Sequence, residues 1–265
     1  MRVAAIQMVS TESLAQNMVT AASLLQKARD TGAQLLLLPE YWPQMGLQET
    51  DKLTIAEPLG HGVIQGFLSG TARRLGAWII GGTLPLISSE ENKVLNTSLV
   101  YNPQGEAVAH YDKIHLFGFS KGSESYEESR TIVAGDEVAT FETDLGKVGL
   151  SICYDLRFPE LFRHMGVCTL IVVPAAFTHT TGQAHWEILL RARAIENQCY
   201  VLAAAQGGLH TNGRRTWGHS MLIDPWGKIV DVLSDGEGVV SGELDMALLQ
   251  GIRENLPALK HRKLV

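Results

Sequence analysis

Three positions in the 265-residue chain put a reactive side chain at the end of an apolar run. Glu40 follows four leucines and a proline in LLLLPEYW, Lys113 ends a strand in HYDKIHLFGF, and Cys153 stands in GLSICYDLRFPELF. Reactive groups of α/β sheets collect where strands end and loops or helix N-termini begin. A cysteine is ordinarily a small buried hydrophobe, and Cys168 in GVCTLIVV and Cys199 before YVLAAA fit that description. Cys153 differs. Polar Asp155, Arg157 and Glu160 follow it at a strand-to-helix bend, where a helix N-terminus favours a thiolate nucleophile. Glu40 reads either as a capped carboxylate or as a proton carrier. Its leucines and Tyr41-Trp42-Pro43 make an apolar setting that raises a carboxyl pKa and suits a group that accepts and returns protons. Lys113 in isolation reads as an ordinary surface lysine.

Other chemistries are poorly supported. The nine histidines form no HExxH, and His110/His115 and His179/His185 are too loosely spaced for a zinc site, so no metal is expected. Neither GxGxxG nor GxxxxGK[ST] occurs, and Gly81-Gly82 reads as close backbone packing within a strand. With 22 Lys+Arg against 28 Asp+Glu the net charge is -6, which offers nucleic acid no basic stripe. No apolar run of about 18 residues exists to span a membrane. The apolar stretch in MRVAAIQMVSTES is too short for a secretory signal. Three widely spaced cysteines without a CxxC suit a reducing cytoplasm rather than a disulfide framework.

The elements that must position these groups repeat in order. A strand over 3–8 precedes a helix over 13–31 that opens with the capping pair Ser13 and Gln16 and ends at Gly32. A buried strand over 35–38, a helix over 63–75 and a strand over 78–84 follow, then two strands joined by the turn Asn102-Pro103-Gln104-Gly105. The second half has a strand over 148–153, a short helix from Pro159, a run over 170–173, a helix from about 184 to 197 and a strand over 200–205. A second hairpin turns on Asp224-Pro225-Trp226-Gly227. No linker divides the chain. Two similar halves, each a sheet with helices on one face, predict an α/β fold: a four-layer α-β-β-α sandwich of two mixed sheets.

Taken together, PEYW, DKIHLF and GLSICYDLRFPELFR resemble the nitrilase, or carbon–nitrogen hydrolase, superfamily, in the right order and over nearly the whole chain. The resemblance implies the same sandwich as one domain over 1–265, a Glu40–Lys113–Cys153 triad, no cofactor and a homodimer or higher homo-oligomer. It also implies a second glutamate, which maps onto Glu128 in SYEESRTIVAG with Glu127 as the competitor; the spacer 118–124 departs from the usual pattern. The stretches AAFTHTTGQAHWEILLRARAIENQCYVLAAAQ and GHSMLIDPWG look most like nitrilase-like amidases, nearest the branch that hydrolyses deaminated glutathione to 2-oxoglutarate and Cys-Gly.

On that resemblance the expected reaction is amide hydrolysis through a thioester. Glu40 is the base, Lys113 and the backbone N–H of Tyr154 hold the oxyanion, and Glu128 orients Lys113 and the substrate. A carboxylate on the small-molecule substrate needs a cationic fork. Arg157, Arg214 and Arg215 are candidates, and each reads equally well as a surface or salt-bridged arginine. An ω-amidase acting on 2-oxoglutaramate or 2-oxosuccinamate is the alternative. A catalytically silent binding protein would have lost a triad residue, and none is lost.

Overall fold

A computed structural model describes residues 1–122 and 124–264; position 123, in the 118–124 spacer, lies outside the described residues. The strands β1 (Arg2–Gln7), β2 (Leu35–Leu37) and β3 (Trp78–Ile80) pair in parallel, with α1 (Leu14–Asp30) and α2 (Val63–Leu75) as crossovers. Antiparallel β4 (Leu84–Ile87), β5 (Val94–Tyr101) and β6 (Ala107–Asp112) extend this sheet. A hairpin, β7 (Gly118–Lys121) with β8 (Glu124–Glu127), and a short β9 (Ile132–Val133) lead to the second half.

There the order repeats. β10 (Thr140–Thr143) pairs antiparallel with β11 (Gly146–Leu150), which is parallel to β12 (Leu170–Ala175) and, next to it, β13 (Tyr200–Ala205). The crossovers are α3 (Pro159–His164) and α4 (His179–Asn197). A ribbon of β14 (Gly207–Leu209) and β15 (Arg215–Trp217) precedes β16 (Ser220–Ile223) and β17 (Ile229–Leu233), which complete the second sheet. β18 (Gly238–Glu243) crosses back to pair with β1, and α5 (Met246–Asn255) follows.

Alternate residues of the central strands serve two cores, which is why their runs are continuously apolar. Val3, Ala5, Leu35, Leu37 and Ile80 lie in the cluster shared with the second sheet. Ala4, Ile6, Leu36, Leu38 and Ile79 lie in the cluster that includes Leu24, Leu25, Ile64 and Leu68 of α1 and α2. The result is the four-layer α-β-β-α sandwich, with a mixed sheet in each half. Both Pro-x-Gly turns form as read, with the N–H of Gly105 on Asn102 O at 2.8 Å and that of Gly227 on Asp224 O at 2.9 Å.

The expected strand over 148–153 ends at Leu150, leaving Cys153 in a 3-10 turn, and two further elements differ from the sequence reading. The expected strand over 78–84 is two, because the chain breaks at 81–83 between β3 and β4, which follow each other along one side of β5. At the break Gly82 takes φ +55, and a Cβ there would stand 2.1 Å from Pro39 O. The close backbone packing is real, and what packs there is the segment carrying Glu40. Helix α4 starts five residues early, at His179, because Thr178 Oγ1 caps it by accepting the N–H of Thr181. Its apolar periodicity begins only with the buried Trp186.

Candidate active site

Four elements deliver four side chains to one end of the sandwich. The segment after β2 carries Glu40, and Trp42 pins it by donating Nε1–H to Gly81 O at 2.8 Å. Lys113 follows β6, its backbone N–H on Asn96 O of β5. Glu128 opens a one-turn 3-10 helix after β8, its N–H on Phe117 O. Cys153 begins the 3-10 turn Cys153–Arg157 at φ +50, a left-handed conformation that a side-chain-bearing residue holds only when its surroundings enforce it.

The Lys113 ammonium is fully buried and three-way bonded. Its Nζ donates to Glu40 Oε1 at 2.9 Å and to both oxygens of Glu128 at 2.9 and 2.8 Å. Glu40 further accepts from Asn96 Nδ2 at 3.0 Å on Oε1 and from the N–H of Ala176 at 2.9 Å on Oε2. Its leucines do bury it, yet the carboxylate meets an ammonium and two other donors, not the wholly apolar setting read from the sequence. Glu128 also takes the N–H of Phe117 and the O–H of Tyr41, both at 2.7 Å. Glu127, the rival glutamate, instead pairs with Arg130 at the exposed end of that turn.

Burial works against the charge on Lys113, but the carboxylates of Glu128 and Glu40 outweigh it and hold the ammonium above its ordinary range. Burial likewise works against ionised Glu128, and Lys113 overcomes it, leaving that carboxyl below its usual value. Cys153 goes the other way. Burial first and the Glu40 carboxylate second push its thiol well up, and Lys113 only partly offsets them. The resting sulfur is therefore a thiol, which corrects the expectation that the helix start makes it a thiolate.

A second carboxylate ties the cysteine turn to the lysine loop. Asp155, with no exposed surface, accepts the N–H of Ile152 at 2.8 Å and the Tyr111 O–H at 2.7 Å. It also accepts the N–H of His115 at 3.1 Å and contacts His115 Nδ1 at 2.7 Å. The His115 ring stacks on Phe158 at 3.8 Å. Ile152 precedes Cys153, while Tyr111 and His115 flank Lys113 by two residues on either side, so one buried group sets both.

Around Cys153 lies a pocket of about 270 Å³ lined also by Glu40, Glu128, Tyr154, Arg157, Phe177 and Arg214. The three candidate arginines separate. Arg157 lies over the rings of Tyr154 and Phe177 at 5.6 and 5.4 Å and bonds His185. Arg214 donates Nη2–H to Ala176 O at 2.8 Å and covers the Tyr126 ring. Arg215 is exposed and lines no wall of this pocket. The contributions of Asn96, Ala176 and Asp155 escape sequence reading. The available signal was a polar residue inside or at the end of an apolar strand, as with Asn96 in VLNTSLVY.

The carbon–nitrogen hydrolase family profile matches residues 2–254. The deaminated glutathione amidase of Yersinia enterocolitica is 41% identical, the match covering 99% of this chain and 93% of that one. The human protein of that name is 38% identical, over 98% and 82%. Among solved structures, the Nit3 protein of Saccharomyces cerevisiae superposes with TM-score 0.88 at 30% identity, covering 100% of this chain and 97% of that one. A glutamate-to-glutamine mutant of the amidase from Nesterenkonia, whose structure shows the Michael addition of acrylamide at the active-site cysteine, superposes with TM-score 0.80 at 26% identity, over 97% and 98%.

Proposed function

This chain belongs to the carbon–nitrogen hydrolase family, and from that premise we propose that it hydrolyses the amide bond of deaminated glutathione, releasing 2-oxoglutarate and Cys-Gly. It is a hydrolase of carbon–nitrogen bonds other than peptide bonds. The observation that carries the assignment of roles is Glu40, whose oxygens are shared among Lys113, Asn96 and the Ala176 N–H in the wall that also holds Cys153.

Glu40 takes the Cys153 proton as sulfur attacks the amide carbon. Negative charge passes from carboxylate to sulfur, so the buried site gains no net charge while Lys113 neighbours both. In this reading Lys113 Nζ and the N–H of Tyr154 are the donors to the oxygen that becomes negative, and one fixed donor of this kind is worth about 3–4 kcal/mol. Glu40 gives its proton to the departing amine, leaving a thioester. Water, deprotonated by Glu40, attacks that thioester; the acid leaves and the thiol is restored. Glu128 keeps Lys113 in place. Arg157 receives the carboxylate beside the 2-oxo group. The covalent adduct on the cysteine of the Nesterenkonia amidase supports Cys153 as nucleophile.

We also assign this work to a reducing cytoplasm, where the three free cysteines stay thiols. Among the described residues no helix is long and apolar enough to cross a membrane. We further infer a homodimer, for which the exposed Ile188 and Ile195 of α4 and the exposed Trp226 offer apolar surface.

The deciding measurement is kcat/KM on deaminated glutathione and on 2-oxoglutaramate, with each single Cys→Ala variant alongside. Deaminated glutathione should lead by about tenfold or more, 1.4 kcal/mol of transition-state preference. Cys153→Ala should fall below about 10⁻⁴ of the parent kcat, while Cys168→Ala and Cys199→Ala keep most of it. A tenfold lead for 2-oxoglutaramate would make the protein an ω-amidase. Activity surviving in Cys153→Ala would overturn the mechanism.

A further inference from the structure

The pocket at Cys153 shares Phe117, Glu128 and Arg214 with a second chamber of about 600 Å³. Cys153 lines only the inner pocket. The outer chamber is walled by the segment after Glu40, by the β7–β8 hairpin and by the loop before β15, and it has two unusual members. Gln44 has its Oε1 buried without a hydrogen-bond partner, and Arg214 has its Nε in the same condition. Buried polar atoms in folded proteins are nearly always bonded, so an orphan acceptor and an orphan donor in one wall call for something outside the chain.

The charges of the chamber point the same way. Glu49 is paired with Lys52, Glu127 with Arg130 and Glu128 with Lys113. Arg214 also lines the chamber, and among the described residues no carboxylate lies within ion-pair distance of it. The guanidinium is nevertheless held in place, by Ala176 O at 2.8 Å and by the Tyr126 ring at 5.1 Å. A fixed fork with a free Nε–H and no carboxylate partner among the described residues is a ready receptor for a carboxylate or carbonyl oxygen. The Gln44 oxygen asks for an N–H. A short peptide ending in a carboxylate supplies both.

We propose that the outer chamber is a leaving-group subsite that recognises the amine half of the substrate as a small peptide, through Gln44 Oε1 and the Arg214 guanidinium. The proposal rests on the reading of Cys153 as the amidase nucleophile. It assigns the acyl half to the inner pocket and the amine half to the outer one, with the scissile bond at their junction beside Glu128. The freed amine then departs through the outer chamber as the thioester stays on sulfur. An enzyme built this way prefers a peptide leaving group to ammonia.

Two substrates with the same acyl half isolate the effect. Deaminated glutathione releases Cys-Gly and 2-oxoglutaramate releases ammonia. In Gln44→Leu and Arg214→Met the ratio of their kcat/KM values should fall by about tenfold or more against the parent, chiefly through a higher KM for deaminated glutathione. Arg214→Lys, which keeps the charge but not the fork, should fall part of the way. Equal losses on both substrates, or an unchanged ratio, would overturn the subsite. Calorimetric titration of Cys-Gly into the Cys153→Ala protein tests the chamber without turnover. Binding should weaken when Gln44→Leu is added, and equal binding with and without it counts against the proposal. If the parent hydrolyses neither amide, the amidase reading fails, and the titration still decides the chamber.

Discussion

At Cys153 three influences compete, and two of them raise the thiol: burial and the Glu40 carboxylate, against the Lys113 ammonium. Replacing Glu40 by Gln removes one raising influence and leaves the lowering one. The thiolate absorbance of Glu40→Gln should therefore titrate at lower pH than that of the parent, although turnover is lost. A midpoint that stays put or rises would place Glu40 too far from the sulfur to be its base. Asp155 supports the same cysteine from behind. An Asn at 155 turns an amide NH2 toward a cage of donors, the Ile152 N–H and the Tyr111 O–H among them. Leaving such a buried donor unmatched costs about 1–3 kcal/mol. Asp155→Asn should lower the melting temperature and reduce kcat with KM little changed, and a shift in KM alone would separate Asp155 from the nucleophile turn. At this scale Glu40 and Cys153 stand out in the sequence by their local setting, whereas Lys113 reads there as a surface lysine, enters through the family resemblance alone, and proves fully buried. Asp155 does not stand out there, because its importance lies in touching two loops about 40 positions apart.

Among the elements, the break between β3 and β4 is what makes room for the segment carrying Glu40. Gly82 takes φ +55 and would meet Pro39 O at 2.1 Å if given a Cβ, whereas Gly76, at φ +57, would meet nothing within 4 Å. An Ala at either site pays the left-handed penalty of about 1–2 kcal/mol. Only Gly82→Ala adds the clash, so it should lose far more activity than Gly76→Ala, as assays on the two purified variants would show. Comparable losses would mean that Pro39 shifts without moving Glu40. The central strands were readable because burial against both cores leaves them continuously apolar, and α1 and α2 because one core stamps helical apolar periodicity on them. The β7–β8 hairpin and the β14–β15 ribbon were not. They are short, polar and partly exposed, so the tertiary context sets them rather than any pattern of their own.

Over the whole molecule, the buried Lys113–Glu128 pair links stability to pH in a stated direction. Glu128 is held below its usual pKa, so its contribution is complete above the unfolded carboxylate value of about 4.3 and fades as acid protonates the folded state. Lys113 is held above its own, so its contribution is complete below about 10.4 and is lost only as pH rises past that. Between these limits the cluster should add a constant amount. On acidification from about pH 5 to pH 3 the parent's melting temperature should fall more steeply than that of Glu128→Gln, which has no carboxylate to protonate at that position. Parallel curves would show that Glu128 carries no linkage. The sequence alone determined the two-fold order of strands and helices, because burial on two faces leaves a continuous apolar signature that local chemistry can be read against. It also singled out Glu40 and Cys153 as candidates by their local setting. Tertiary structure alone decided that Glu128 rather than Glu127 meets Lys113, that Cys153 rests as a thiol, and that Arg214 turns into the cleft while Arg215 stays outside. Neighbouring residues of one type carry the same local signal. What separates them is the field and the partners brought up by distant segments, and β18, returning to pair with β1, belongs to that same long-range arrangement.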